Sequence, residues 1–315
     1  MKRNSMPKTK ILTIGSAVID LIFQGEIFTQ RVKDNRLSLA YGGKYVADNY
    51  YQFFGGGAAN VAVSLARQGL NTHIWTRASK DFFGNLIIKN LKKEKVGCGL
   101  VKKDLSSSPI STILLDTEGK RTIINYRSSA DELDFSNKIR SFIKKSGWIC
   151  MFSMPNWGKD KKIEVLKFAR DNNVKVFLSL NGNEYRKGLG FVSGFFPYCT
   201  VLDLNIYELS DLLKTKAENI DLKQENLSRK FNIPIVIVTC DVNGSYLYSS
   251  DEVVYQSALP AKLADATGAG DAFCAGFLGK YVKTGNLEKS MKFAASNAKA
   301  EIEALGAQTG LLIDK

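Results

Sequence analysis

The sequence predicts an α/β fold, with a mostly parallel central sheet covered by helices on both faces and a small β-sheet lid. Three observations predict it. Short, continuous apolar strands alternate with amphipathic helical stretches, the pattern of a parallel sheet buried on both sides. Residues 25–54 break that rhythm with scattered aromatics, Gly42-Gly43 and no helical period. Residues 106–130 break it again with a hairpin pattern.

Ile11–Gly15 reads as the first strand, continuing in an apolar stretch to Phe23 that Asp20 interrupts. Ala58–Gln68 reads as a helix ended by Gly69, His73–Thr76 as a strand, and residues 84–94 as a helix. Ser111–Asp116 and Arg121–Tyr126 form the hairpin, turned at Thr117-Glu118-Gly119. Strand and helix then alternate through Trp148–Phe152, Lys161–Asn172, Lys175–Leu180, Val201–Leu204 and a helix from Tyr207. Ile235–Cys240 follows, and Asn243-Gly244 turns it onto Ser245–Ser249. Two long helices, near Gly268–Lys283 and Leu287–Ala300, close the pattern. Residues 11–24, 55–105 and 131–315 therefore read as the main α/β domain, 25–54 and 106–130 as the lid, and 1–10 as a basic tail.

Composition narrows the function classes. At 315 residues and 44% hydrophobic content the chain can bury a large core. The formal charge of +13 suits anionic ligands, but the lysines are scattered and no recognition motif accompanies them, which argues against nucleic acid. No apolar run is long enough for a membrane span. Five widely spaced cysteines, Cys98, Cys150, Cys199, Cys240 and Cys274, read as reduced cytosolic thiols. His73 is the only histidine, so catalytic triads and histidine metal sites have little to draw on.

Asp265-Ala-Thr-Gly-Ala-Gly-Asp271 is the most informative segment. Gly268, Ala269 and Gly270 put unobstructed N–H groups at a helix N-terminus, where an anion is favoured. Asp271 places a carboxylate beside them, the pairing that transfer of a phosphoryl group to a hydroxyl needs. A plain cap fits poorly, because a capping box wants its acid at Gly270. Gly55-Gly56-Gly57-Ala58-Ala59-Asn60 precedes a helix and permits either close approach to a ligand or a flexible loop. Asp20, at the end of the first strand, needs partners, which sugar hydroxyls or backbone amides would supply. Asn205-Ile206-Tyr207-Glu208 fits a capping box and equally a glutamate near hydrated Mg²⁺.

Together these residues resemble the ribokinase-like, or PfkB, family of carbohydrate and nucleoside kinases. Asp265–Asp271 matches the family's D-T-x-G-A-G-D signature, departing only at Ala266. Gly55–Asn60 is similar to its N-terminal glycine signature, Asn205–Glu208 to its N-x-x-E motif, and Asp20 to its acceptor-binding aspartate. The order and spacing agree from about Ile11 to Gly310.

The resemblance implies a cytoplasmic kinase that uses ATP and Mg²⁺ to phosphorylate a hydroxymethyl group of a sugar or nucleoside. It implies Asp271 as catalytic base, Gly268, Ala269 and Gly270 as the anion hole, and Asp20, Gly56, Gly57 and Asn60 on the acceptor. Asn181, Thr239, Gly244 and Asn297 would meet the nucleotide, and Glu208 would hold Mg²⁺ through water. Asp265 and Thr267 match positions that bind K⁺ in potassium-activated members. Family members often dimerise through the lid, so the resemblance also implies a homodimer. Gly182 replaces a usual proline after Asn181, and Asp241 replaces the first glycine of the family's T-x-G-x-x-G loop. Gly57 and Ser153 depart from the lysine and glutamate of ribokinases proper, which turns the acceptor away from ribose. A sugar phosphate is the alternative acceptor: Lys44 either meets its anion or is a solvated lysine, and the lid hairpin with Tyr126 and Arg127 decides the acceptor. A non-catalytic binding relative is the alternative class, and intact Asp271 and Glu208 argue against it.

Overall fold

The computed structural model describes residues 9–34, 36–127, 132–154 and 156–314. Residues 1–8 of the basic tail lie outside the described residues. The first third of the chain forms β1 (Lys10–Ile14), β2 (Val18–Gln24), α1 (Glu26–Gln30), β3 (Val32–Lys33), β4 (Arg36–Leu37) and β5 (Asn49–Gly55). There follow α2 (Gly57–Arg67), β6 (Asn71–Ser79), α3 (Phe82–Lys93), β7 (Gly97–Leu105), β8 (Ile110–Leu115) and β9 (Arg121–Tyr126). The middle comprises α4 (Asn137–Ile143), β10 (Trp148–Met151), α5 (Lys159–Asp171), β11 (Lys175–Ser179), α6 (Gly182–Tyr185) and α7 (Leu189–Val192). Next come β12 (Val201–Asn205), α8 (Ile206–Leu213), α9 (Leu227–Phe231), β13 (Ile235–Thr239), β14 (Ser245–Ser249) and β15 (Val253–Gln256). Two long helices, α10 (Ala269–Thr284) and α11 (Leu287–Ile302), close the fold.

Nine strands form the main sheet in the order β15-β14-β13-β12-β11-β10-β1-β6-β7. Strands β13 to β7 along that order pair in parallel, and the hairpin adds β14 and β15 antiparallel at one edge. Successive strand residues point to opposite faces, so each apolar run feeds two cores. Leu12, Ile14, Ile149, Met151, Leu202 and Leu204 join the core under α4 and α5. Ile11, Trp148, Cys150, Val201, Ile235 and Ile237 join the core under α2, α10 and α11. This is the expected doubly covered sheet. No helix among the described residues is long and apolar enough to cross a membrane.

The smaller sheet has the order β5-β2-β8-β9. Its β8–β9 hairpin matches the expected one, with Asp116 Oδ1 accepting from the Glu118 and Lys120 N–H groups across the turn. Residues 18–24 depart from expectation. The sequence pattern assigns them to the main domain, yet β2 pairs with β5 and β8. Gly15, at φ +144°, turns the chain out of the main sheet directly after β1, and only Gly15-Ser16-Ala17 separates two apolar runs that read as one. Asp20 therefore lies within β2 of the small sheet, not at the end of the first strand. Strands β7 and β15 also went unanticipated, because both are edge strands with exposed, partly polar sequences.

Three helices meet on one buried amide. Asn297 in α11 is fully buried; its Nδ2 donates to Ser64 Oγ in α2 (3.1 Å) and Ala272 O in α10 (2.7 Å), and its Oδ1 accepts from Leu312 N (2.8 Å). Removing such an amide strands its partners. Asn297→Leu is expected to lower stability by about 2–4 kcal/mol, read as a lower urea midpoint at unchanged slope. An unshifted midpoint would show that the amide does not hold the three helices together.

Candidate active site

The site lies between the ends of the parallel strands and the inner face of the small sheet, in a cleft of about 330 Å³. Asp20, Gly56, Gly57, Asn60, Thr267, Gly268 and Asp271 all line it, although 251 positions separate Asp20 from Asp271. Seven of the residues singled out from the sequence thus converge.

One wall is the start of α10. Gly268 caps it at φ +85°, and a Cβ there would come within 2.7 Å of Ala307 Cβ, so backbone conformation and space both select glycine. Gly270 faces open space: a Cβ on it would meet no atom within 4 Å. The first full helical bond is Ala272 N to Gly268 O (2.8 Å). Among the described residues no backbone carbonyl accepts from the Gly270 or Asp271 N–H. These are orphan donors at the positive end of a 16-residue helix, an arrangement that favours an anion.

Asp271, in the first turn, is half-buried, and burial pushes its carboxyl above the ordinary range against the pull of Asn60. Asn60 Nδ2 donates to Asp271 Oδ2 at 2.8 Å. A Cβ on Gly57 would stand 3.2 Å from Asp271 Oδ1. Gly56, at φ +95°, would put a Cβ 2.6 Å from Ser16 O. The glycine run is therefore a tight crossing that lets α2 start against the carboxylate.

Across the cleft, Asp20 is 4% exposed, and burial raises its carboxyl to about 6, with Ser111 and Arg127 pulling it down and Asp265 and Asp271 pushing it up. Its carboxylate occupies the space a side chain on Gly55 would need: a Cβ there would fall 2.0 Å from Asp20 Oδ2. Ser111, Asn125 and Arg127 complete this wall. Among the described residues Arg127 is the only cation lining the cleft, and it follows β9 at the end of the β8–β9 hairpin.

The remaining residues occupy neighbouring strand ends. Asn205 and Glu208 form a full capping box: Asn205 Oδ1 accepts from Glu208 N (2.9 Å) and Glu208 Oε2 from Asn205 N (2.9 Å). Glu208 Oε1 keeps no hydrogen-bond partner among the described residues, and burial raises this carboxyl to about 7. Asn181 makes a second capping box with Glu184, whose other oxygen takes buried Lys162 at 2.5 Å. Thr239 ends β13 against Ser245, and Gly244, at φ +84°, packs so closely that a Cβ would lie 2.3 Å from Gln256 O. Asn297 departs from expectation. It offers no surface to a nucleotide, because the packing of α2, α10 and α11 encloses it and consumes its polar atoms. Asp265 is buried and accepts from Thr267 N (2.8 Å) and Gly306 N (3.2 Å), while Thr267 Oγ1 is buried with no hydrogen-bond partner among the described residues.

Gln308 belongs to the site and no sequence pattern announces it. It is buried, and its Nε2 donates to Asn60 Oδ1 at 3.0 Å.

The chain matches the model of the pfkB family of carbohydrate kinases over residues 8–314. It is 25% identical to an ATP-dependent 6-phosphofructokinase of Thermoanaerobacterium thermosaccharolyticum, covering 95% of this chain and 90% of that one. It is 25% identical to a nucleoside kinase of Methanocaldococcus jannaschii, covering 96% and 93%. Its fold superposes on the Arabidopsis thaliana ribokinase complexed with ribose and ATP, with a TM-score of 0.76 and 23% identity over 96% of this chain and 95% of that chain. A probable sugar kinase from Rhizobium etli superposes with a TM-score of 0.80 at 20% identity over 97% of both chains. The chain belongs to the pfkB family of carbohydrate kinases, phosphotransferases that act on alcohol groups.

Proposed function

We propose that the protein transfers the γ-phosphoryl group of ATP to a hydroxymethyl group of a sugar or nucleoside in a cytoplasmic setting. One observation carries the reading: Gly268 and Asp271, at the N-terminus of α10, share a cleft with the buried carboxylate Asp20. In this reading Asp20 accepts hydrogen bonds from acceptor hydroxyls, with Gly56 and Gly57 leaving room for the ring. Asp271 takes the proton of the attacking hydroxyl as its oxygen bonds to the γ-phosphorus and the bond to the β-phosphate oxygen breaks, releasing ADP. The N–H groups of Gly268, Ala269 and Gly270 meet the charge that builds on the transferring group. Asn60 holds Asp271 in place and leaves one amide hydrogen for the acceptor.

The nucleotide lies toward Asn181, Thr239 and Gly244. Glu208 fits a magnesium site: its unpartnered Oε1 is free to order metal-bound water, and the ion supplies charge neutralisation on the phosphates. Asp265 and Thr267 fit a K⁺ site, since the Thr267 hydroxyl is buried without a partner. The outer face of the small sheet presents Tyr50, Ile124 and Tyr126, an apolar surface for pairing with a second copy. A second acceptor reading, a sugar phosphate, is favoured by Arg127 on the cleft wall. A coupled ADP-release screen over pentoses, hexoses, their phosphates and nucleosides decides among acceptors; no release with any of them would refute the kinase reading.

Two substitutions test the roles. Asp271→Asn is expected to lower kcat by about 10²–10⁴-fold with ATP binding retained, and near-normal turnover would remove Asp271 from the chemistry. Asp20→Ala is expected to raise KM for the acceptor by at least about tenfold while KM for ATP stays near its original value. Equal weakening of both substrates would make Asp20 a structural carboxylate.

A further inference from the structure

Four polar side chains from four segments form one directed chain of hydrogen bonds. Asn90 Nδ2 in α3 donates to Gln308 Oε1 (2.9 Å). Gln308 Nε2 donates to Asn60 Oδ1 (3.0 Å), and Asn60 Nδ2 donates to Asp271 Oδ2 (2.8 Å). An ionised carboxylate only accepts, so the amide beside it must present its NH₂ group. That choice leaves the Asn60 oxygen facing Gln308, which must then present its own NH₂ and turn its oxygen to Asn90. Every amide has one orientation, and the order propagates over the whole chain. Gln308 is fixed from behind as well: Arg67 Nη1 donates to its carbonyl oxygen (2.7 Å) while Arg67 Nε and Nη2 grip Glu94 (2.9 Å each).

We infer that Gln308, held by Asn90, is a positioning residue for Asp271: it locks the Asn60 amide so that a donor, never an acceptor, faces the reacting carboxylate. The inference rests on the proposal that Asp271 is the base. An unlocked Asn60 would turn over, since its two ends are nearly isosteric, and its oxygen would then oppose the carboxylate. The surroundings of Asp271 make that donor matter. The charged and titratable groups facing it are Asp20 from β2, Asp203 from β12, Glu301 from α11 and the Cys274 thiol from its own helix, with Asp265 and Arg127 acting on the same cluster. Four of them are carboxyls, which disfavour a further negative charge. Asn60 is the neutral donor set against them.

The test inverts the chain's polarity without changing its shape. Gln308→Glu offers Asn60 an acceptor, so the Asn60 NH₂ turns away from Asp271. Asn90→Asp does the same from one residue further, by drawing the Gln308 NH₂ to itself. The carboxyl carbon resonance of Asp271, assigned by its loss in Asp271→Asn, is followed against pH in the protein without substrates. Both variants are expected to raise its midpoint by about one to two pH units, and the acid limb of kcat to move with it while KM for ATP holds. A bare Coulomb effect of the new charge is separated by Gln308→Met, which cuts the chain. In that background Asn90→Asp is expected to produce no further shift. The inference is overturned if neither inverting variant moves the midpoint, or if the Asn90→Asp shift survives intact in Gln308→Met. Should Gln308→Glu not fold, Asn90→Asp decides alone. Loss of the base proposal would show separately, as an Asp271→Asn protein with undiminished turnover, and the resonance would still report the chain of amides.

Discussion

The cleft depends on two places where the backbone crosses between the sheets and the crossings touch. Residues 15–17 carry the chain outward from β1 to β2, and residues 55–57 carry it back from β5 into α2. Ser16 O accepts from Ala59 N (3.3 Å), and a Cβ on Gly56 would stand 2.6 Å from that same oxygen. With no side chain between them, the two strands of the small sheet are tied to the start of α2. Asp20 on β2 and Asn60 on α2 are thereby held at fixed offsets from Asp271. In the proposed reaction, acceptor hydroxyl and proton acceptor would need that rigidity, because a misplacement of about 1 Å can cost two orders of magnitude in rate.

How much of this was legible follows from the range of each interaction. The start of α10 is local chemistry: two glycines and an aspartate in one turn state their geometry without outside help. Alternating apolar runs were equally readable, because each strand supplies both cores by itself. Asp20 is legible as a carboxylate needing partners but not as a residue of the small sheet, since only Gly15-Ser16-Ala17 separates the apolar runs of β1 and β2. Asn297 carried a family expectation, and tertiary packing overrode it. Gln308 and Asn90 lie 218 positions apart, and their roles reside in which end of an amide faces which neighbour. No periodicity encodes that.

Charge is arranged on two scales. The chain carries a net formal charge of +13, spread over its surface, which draws anions in through the long-range field. Around Asp271 the sign reverses. Asp20 and Asp271 line the cleft, Asp203, Asp265 and Glu301 act on them from behind it, and Glu208 acts on Asp203; burial holds several of these carboxyls above the ordinary range. Such a cluster repels a bare polyphosphate, and screening over about 8–10 Å limits how far surface lysines offset it. In the proposed reaction, cations accompanying the nucleotide would resolve the conflict, which gives the acid-rich floor a reason to coexist with a basic exterior.

The lone histidine bears on how the protein exchanges protons with its solvent. His73 is pushed below its usual range by burial and by Lys10. The acids that fill the vacated interval belong to the cleft and its surroundings: Asp20 near 6, Asp203 and Glu208 near 7, Glu301 near 8. Among the described side chains, protons released or taken up around neutral pH therefore come chiefly from this one region. Calorimetric titrations repeated in buffers of different ionisation heat would then read the occupancy of the cleft as a proton count, with little background from the rest of the molecule.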